Sequence, residues 1–168
     1  MPRCFWLIFS FTLLLPGCYH MRVEVESIPK RVIAIKAQPH EAVRKIRSHI
    51  EDDWKCRILE ADSAGTVLIT APYHFNTETG FGQPAGGRKY YTQLRIEVIE
   101  HNGTSTVNLS HYNFEIRTSY AFNQEGQLGT LYKRYPYEQY PGMFELALIN
   151  SEMDRVSGDI QRLFMEYK

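Results

Sequence analysis

The chain has 168 residues, which is enough for one domain of ordinary size. A hydrophobic content of 43% and a charged content of 23% are typical of a globular chain and exclude a disordered one. The 19 basic and 19 acidic residues balance, so the composition provides no electrostatic basis for binding nucleic acid.

The N-terminal residues predict an export signal. Arg3 precedes an apolar run over residues 4–15, which is shorter than the ~20 residues that a membrane-spanning helix needs and is typical of a secretory signal peptide. Leu-Pro-Gly-Cys follows, with the cysteine at Cys18. This ending resembles the lipobox of bacterial lipoproteins, in which a leucine lies three residues before the cysteine and a small residue directly before it.

The lipobox resemblance implies that residues 1–17 are removed, that Cys18 carries a lipid and that residues 18–30 form a tether. Acyl chains anchor a protein because each buried CH₂ contributes ~0.8 kcal/mol. Tyr19 stands where an aspartate would indicate retention at the inner membrane. The implied location is therefore the outer membrane of a bacterial envelope, facing the periplasm, with the lipid as the only membrane contact. An ordinary signal peptide, with Cys18 incidental, is the alternative.

Residues 31–53 predict a strand followed by a helix. Residues 31–37 are apolar and rich in β-branched side chains, which favours a strand. Pro39 suits the first turn of a helix, where its missing N–H is not needed. The apolar residues that follow recur at helical spacing and predict an amphipathic helix through residue 53: Ala42, Val43, Ile46 and Ile50.

The next segment predicts two short strands and a loop. Residues 54–61 and 66–71 are strand-like and are separated by a turn-rich connection. Residues 76–88 contain four glycines and one proline, which predicts a loop.

A hairpin is predicted around the pair Asn102-Gly103, because both central residues of a type I′ turn need positive φ. Residues 90–101 and 104–118 are the predicted strands. The apolar pattern shifts within the second strand, which predicts a β-bulge near residues 110–111. A two-residue turn at this place predicts three facing pairs: Val98 with Val107, Ile96 with Leu109, and Leu94 with His111.

The last part of the chain predicts an irregular segment and a long helix. Residues 121–142 are rich in Gly and Pro and are predicted to be irregular. Residues 143–168 carry an apolar seam at alternating spacings of three and four, which predicts a helix. The seam is compatible with either a core or a partner helix, and comprises Leu146, Ile149, Met153, Val156, Ile160, Leu163 and Tyr167.

The element order predicts the α+β class, with an antiparallel sheet packed against one short and one long C-terminal helix. Residues 31–168 form the single predicted domain. This order, in a lipoprotein context, resembles the helix-grip domains of BamC, a lipoprotein of outer-membrane barrel assembly. The resemblance is one of topology over the whole predicted domain and implies a curved sheet gripping a long helix. No motif position matches, so no functional residue is carried over.

The sequence offers no constellation that predicts an enzyme, a metal site or a cofactor. The six histidines show neither H-x-x-x-H spacing nor a neighbouring cysteine at metal-ligand spacing. The nucleophile motif G-x-S-x-G is absent. Cys56 is the one cysteine left after the leader and Cys18, and we expect it to be a small buried residue rather than a nucleophile. His111 is expected to point inward, opposite Leu94.

The segment LYKRYPYEQYPGMF, residues 131–144, is the strongest candidate for a binding surface. Tyrosine and arginine are frequent anchors of protein interfaces. The alternative is a loop whose rings pack against its own sheet. The residues predicted to contact a partner are Tyr132, Arg134, Tyr135, Tyr137 and Tyr140.

Two functions are compatible with these observations. The first is a non-enzymatic, lipid-anchored envelope lipoprotein that binds another envelope protein as an assembly or scaffold module. The second is a protein that binds a small amphipathic or lipid ligand between the sheet and the terminal helix, as the 11 Tyr and 9 Phe suggest.

Overall fold

The computed structural model describes residues 24–62, 65–79, 87–101, 103–124 and 127–165. The predicted signal peptide and Cys18 lie outside the described residues. No helix in the described ranges is both long enough and apolar enough to cross a membrane. The elements, in chain order, are β1 (Arg31–Ile35), α1 (Pro39–Ser48), a π-helical turn (His49–Asp53), β2 (Ile58–Ala61), β3 (Val67–Thr70), β4 (Tyr73–Glu78), β5 (Arg88–His101), β6 (Thr104–Gln124), β7 (Gln127–Pro136), a 3₁₀ turn (Pro141–Met143) and α2 (Leu146–Leu163).

The β5–β6 hairpin is the centre of the sheet, and its register is the predicted one. Gly103 in the turn has a φ of +77°. All three predicted pairs are confirmed. Leu94 faces His111 while Gln93 faces Asn113, so Tyr112 is the extra residue of the predicted bulge. The turn sets the register from one end, and the bulge lets the apolar pattern continue on the same face beyond it.

In the described part of the chain the antiparallel sheet has seven strands, and each strand of the central hairpin has two successive neighbours on its outer edge. β6 pairs with β1 over residues 105–109 and with β7 over residues 115–124. β5 pairs with β3 over residues 95–97 and with β4 over residues 88–92. Both changes of neighbour lie at the level of the bulge. At this level Thr70, at the end of β3, accepts two hydrogen bonds: one from the side chain of Gln93 to its carbonyl and one from the backbone N–H of Leu94 to its hydroxyl.

Both helices pack on one face of the sheet and bury the core, which confirms the predicted α+β class. The apolar seam of α2 is fully buried at Ile149, Met153, Val156 and Ile160, so it belongs to the core. α1 buries Ala42 and Ile46. The facing side chains of the sheet are Ile33, Ile35, Leu68, Leu94, Ile96, Val98, Val107 and Leu109.

Three sequence predictions of local structure are corrected. The helix runs on to Asp53 and Lys55 has a φ of +54°, so the strand predicted from residue 54 begins at Ile58. Residues 76–78 belong to β4 rather than to a loop, whereas residues 80–86 lie outside the described residues. The predicted irregular segment instead contains the end of β6 and all of β7, because ten cross-strand pairs outweigh the weak strand propensity of its glycines.

Candidate functional site

Beyond the sheet, β6 and β7 continue as a two-stranded extension, which we call the ribbon (residues 119–124 and 127–132). The pairing of β5 ends with Arg88 opposite Thr118, so in the described part of the chain the ribbon strands pair only with each other. Leu131 is 47% exposed and Tyr132 is 78% exposed. The side chains of Leu131 and Tyr132 are therefore available for contact with a partner.

Arg134 lies at the base of the ribbon and is held by a buried carboxylate. Its Nε and Nη2 donate to Oε2 of Glu115 at 2.9 and 2.6 Å. The other oxygen of Glu115 accepts from Arg117 at 2.6 Å, and Arg117 lies 4.0 Å above the ring of Tyr91. The side chain of Arg134 is nevertheless 67% exposed. Its guanidinium is therefore fixed in position and presented to solvent.

Tyr135 and Tyr140 form a second accessible pair at the ribbon base. Their rings meet edge to face, with centroids 5.3 Å apart. Tyr140 is 44% exposed. A hydrogen bond from the Tyr135 hydroxyl to Tyr120 lowers the pKa of Tyr120 and raises that of Tyr135. Of the five predicted contact residues, four thus lie on or beside the ribbon with accessible surface.

Tyr137 does not belong to this surface, since it is only 3% exposed. Its ring packs 5.6 Å from Phe114 and 5.2 Å from Phe144, and its hydroxyl donates to the carbonyl of Glu26 at 2.9 Å. Pro136 ends β7 and the following turn carries Tyr137 back over the sheet. We call the group of rings around it the aromatic cluster, which comprises Phe75, Tyr90, Phe114, Tyr137 and Phe144.

A cleft of about 370 Å³ lies between β4 and α2. Its position matches the second function considered above, a ligand held between the sheet and the terminal helix. The side chains that line it come from three separate segments: Trp54, Cys56, Tyr73, His74, Phe75, Glu152 and Arg155.

The floor of the cleft is a closed network around buried Glu152. Tyr73 donates its hydroxyl to Oε1 at 2.8 Å, and Arg155 makes a two-point contact at 2.7 and 2.8 Å. Arg155 also donates to Asp159 at 2.7 Å and lies 5.3 Å from the ring of Trp54. Burial, reinforced by the Glu152 carboxylate, raises the pKa of Tyr73. The hydrogen bonds to Glu152 raise the pKa of Arg155.

The cysteine and histidine positions bear on reactivity. Cys56 is buried, as predicted, and burial raises the pKa of its thiol, which keeps it protonated and weakly nucleophilic. His111 faces Leu94, as predicted. Its Nδ1 is buried with no hydrogen-bond partner among the described residues, and burial lowers its pKa. Within the described ranges no group of His, Cys, Asp and Glu is arranged to hold a metal ion.

Sequence reasoning found the ribbon residues but missed the cleft. The ribbon candidates are close together in the chain, so composition alone identified them. The cleft residues are spread from Trp54 to Arg155 and converge only when β4 meets α2. The one available signal was the aromatic content of Tyr73 and Phe75, in a stretch next to a predicted loop.

Comparison with known proteins provides information about the fold but none about the chemistry of the site. No protein-family model matches the sequence, and a search of curated proteins finds no significant match. The crystal structure of a DUF4468 family protein from Bacteroides ovatus is similar, with a TM-score of 0.50 at 10% sequence identity. The likeness covers 83% of this chain and 86% of that chain. At this identity it is a likeness of fold alone.

Proposed function

We propose that this protein is a lipid-anchored envelope protein without enzymatic activity, and that it binds another envelope protein through the ribbon and its base. The observation that carries the proposal is the 78% exposure of Tyr132, with Leu131 exposed beside it. Large apolar side chains on an uncovered ribbon are removed from water when a partner docks, which favours association.

The chemistry at the ribbon base supports a protein partner. Tyrosine supplies contact area with little loss of side-chain freedom, and arginine is enriched among the residues that dominate binding energy. Glu115 holds Arg134 in place before binding, so little conformational entropy remains to be lost. Two arginines pair with the single carboxylate of Glu115, which leaves this surface basic. We therefore expect an acidic patch with aromatic residues on the partner.

The ribbon is tested by photocrosslinking in cells that express the full chain. Tyr132→Ala and Arg134→Ala are compared with Tyr112→Ala, a matched control because Tyr112 is also exposed, at 47%, but lies at the bulge. We expect the crosslinked partner to fall about tenfold or more with the first two variants and to persist with the control. Equal recovery from all three variants would contradict the proposed surface.

The lipid anchor, which the lipobox resemblance implies, is tested separately. Cys18→Ser should abolish labelling by a radioactive fatty acid and move the protein out of the membrane fraction. A variant that remains labelled and membrane-bound would exclude Cys18 as the attachment site. The ribbon interaction would be unaffected by that result, since it can be measured in detergent extract.

A second candidate function is the binding of a small amphipathic ligand in the cleft. Its volume of about 370 Å³ is within the usual range of ligand sites, and aromatic walls above a few fixed polar groups are typical of them. Native mass spectrometry of the purified chain tests this function. A bound small molecule should be present in the wild type, diminished in Trp54→Ala and retained in Tyr132→Ala. A wild-type protein that carries no noncovalent ligand beyond its covalent modifications, after incubation with envelope lipid extract, would exclude it.

A further inference from the structure

β1 lies along the same outer edge of β6 as β7, at the level of residues 105–109, and its own outer edge is a second candidate for a docking surface. β1 pairs with β6 through five consecutive residues without a register shift, and it has no other strand neighbour in the part of the chain that the structure describes. Its outer edge therefore presents unpaired N–H and C=O groups from alternate residues. Of the other edge strands in the described sheet, β2 and β4 pair with a register shift, whereas β7 pairs without one and belongs to the ribbon. A regular edge can accept an added strand, whereas an interrupted edge resists one.

A groove of about 460 Å³ lies beside this edge, between the end of β1 and the C-terminal end of α2. Val32 is 68% exposed on the opposite side of the strand, and Met165 is 62% exposed at the groove. A strand added to β1 would therefore find apolar contacts on both of its faces, which supply specificity in addition to backbone hydrogen bonds. The residues that line the groove are Ala34, Ile35, Lys36, Gln161, Phe164 and Met165.

The charges at the two ends of β1 determine which kind of strand can pair with its outer edge. Lys30 and Lys36 are both exposed and bracket the strand, whereas Arg31 is already paired with Asp154 at 2.6 Å. If two copies of β1 paired antiparallel about Ile33, Lys30 of each copy would face Lys36 of the other. Like charges directly opposite each other destabilise strand pairing. In this register the edge therefore disfavours a second copy of itself, and its two lysines are complementary to a strand with acidic ends.

We propose that the free edge of β1 binds an extended segment of a partner protein, apolar at alternate positions and with carboxylates six residues apart that meet Lys30 and Lys36. The backbone of that segment continues the sheet, and its inward side chains enter the groove beside Phe164. This surface is independent of the ribbon.

The probe is a fluorescent seven-residue peptide with alternating valines and a glutamate at each end, added to the full chain in detergent. A peptide with lysines at both ends and one with N-methylated amides are the comparisons. We expect the acidic peptide to bind about tenfold tighter than the basic one, and the N-methylated peptide not to bind. Hydrogen exchange should show new protection in residues 31–36.

Charge reversal provides the decisive variant. Lys30→Glu with Lys36→Glu should reverse the preference, so that the basic peptide now binds tighter, whereas the matched control Lys55→Glu with Lys89→Glu, at two other exposed lysines, should leave it unchanged. The proposal is overturned if the reversal leaves the preference as it was, if protection appears elsewhere, or if light scattering shows that the wild type itself dimerises through β1. Tyr132→Ala should not alter peptide binding, which separates this result from that of the ribbon.

Discussion

The aromatic cluster and the ribbon use the same tyrosine-rich stretch of sequence in opposite ways. Tyr132 and Tyr137 are five residues apart, yet one is 78% exposed and the other 3% exposed. Both follow from the length of β6, which extends past the sheet beyond residue 118, whereas its middle, at Phe114, is covered by the rings of Tyr137 and Phe144. What covers a tyrosine, and not the residue type, therefore decides whether its side chain stabilises the fold or is available to a partner.

The largest effect is expected inside the aromatic cluster. Phe114 is 1% exposed and its ring lies 4.6 Å from that of Phe144. Phe114→Ala should lower the free energy of unfolding by about 3–5 kcal/mol, since it removes buried surface and leaves a cavity. Urea unfolding followed by circular dichroism measures this. A loss below about 1 kcal/mol would show that the cluster relaxes around the gap and is no more rigid than the ribbon.

A smaller effect is expected where the cluster holds the N-terminal segment. Tyr137→Phe keeps the ring and removes the hydrogen bond to Glu26, which should cost about 1 kcal/mol. Hydrogen exchange in residues 24–28 should become faster. Tyr140→Phe is the control, because its exposed hydroxyl should have no such effect. Unchanged exchange in Tyr137→Phe would mean that packing at Ile28, which is 6% exposed, holds the segment by itself.

The stability of the folded protein should depend on pH through His111, which lies at the bulge. Burial lowers its pKa, against the opposing carboxylate of Glu138. Because the unfolded pKa, about 6.5, is the higher one, the contribution of His111 to stability is present above that pH and is lost as pH falls through the folded pKa. His111→Gln should reduce the drop in urea midpoint between about pH 7.5 and pH 5. An identical drop in both proteins would assign the pH dependence to other groups.

The smallest effect on stability is expected on the ribbon. Tyr132→Ala should change the free energy of unfolding by less than about 0.5 kcal/mol, because the side chain is exposed and leaves no cavity. Urea unfolding beside Phe114→Ala gives the direct contrast. A loss above about 1 kcal/mol would mean that the Tyr132 ring packs against residues outside the described ranges.

Much of the fold was predictable because its determinants are local. Asn102-Gly103 sets a two-residue turn, and the alternation of Val98 and Ile96 against Val107 and Leu109 agrees with it, so the register followed directly. The apolar seam of α2 was equally predictable, because its residues recur at alternating spacings of three and four. β7 was missed because its strand character comes from pairing with β6 and not from its own composition.

The candidate surfaces were predictable only in part. Composition identified the stretch containing Tyr132, Arg134 and Tyr140, but it also included Tyr137, which the turn after Pro136 carries into the core. The cleft around Glu152 had no sequence signature, since its walls come from segments on either side of the central hairpin.

The sequence by itself determined the α+β class, the hairpin register, the bulge and the buried seam of the terminal helix, since turns and hydrophobic periods act over neighbouring residues. The tertiary structure alone decided which tyrosines are covered, which strands lie at the edges of the described sheet and how Tyr73 meets Glu152. Burial depends on which layer covers a strand, and that depends on contacts between residues far apart in the chain.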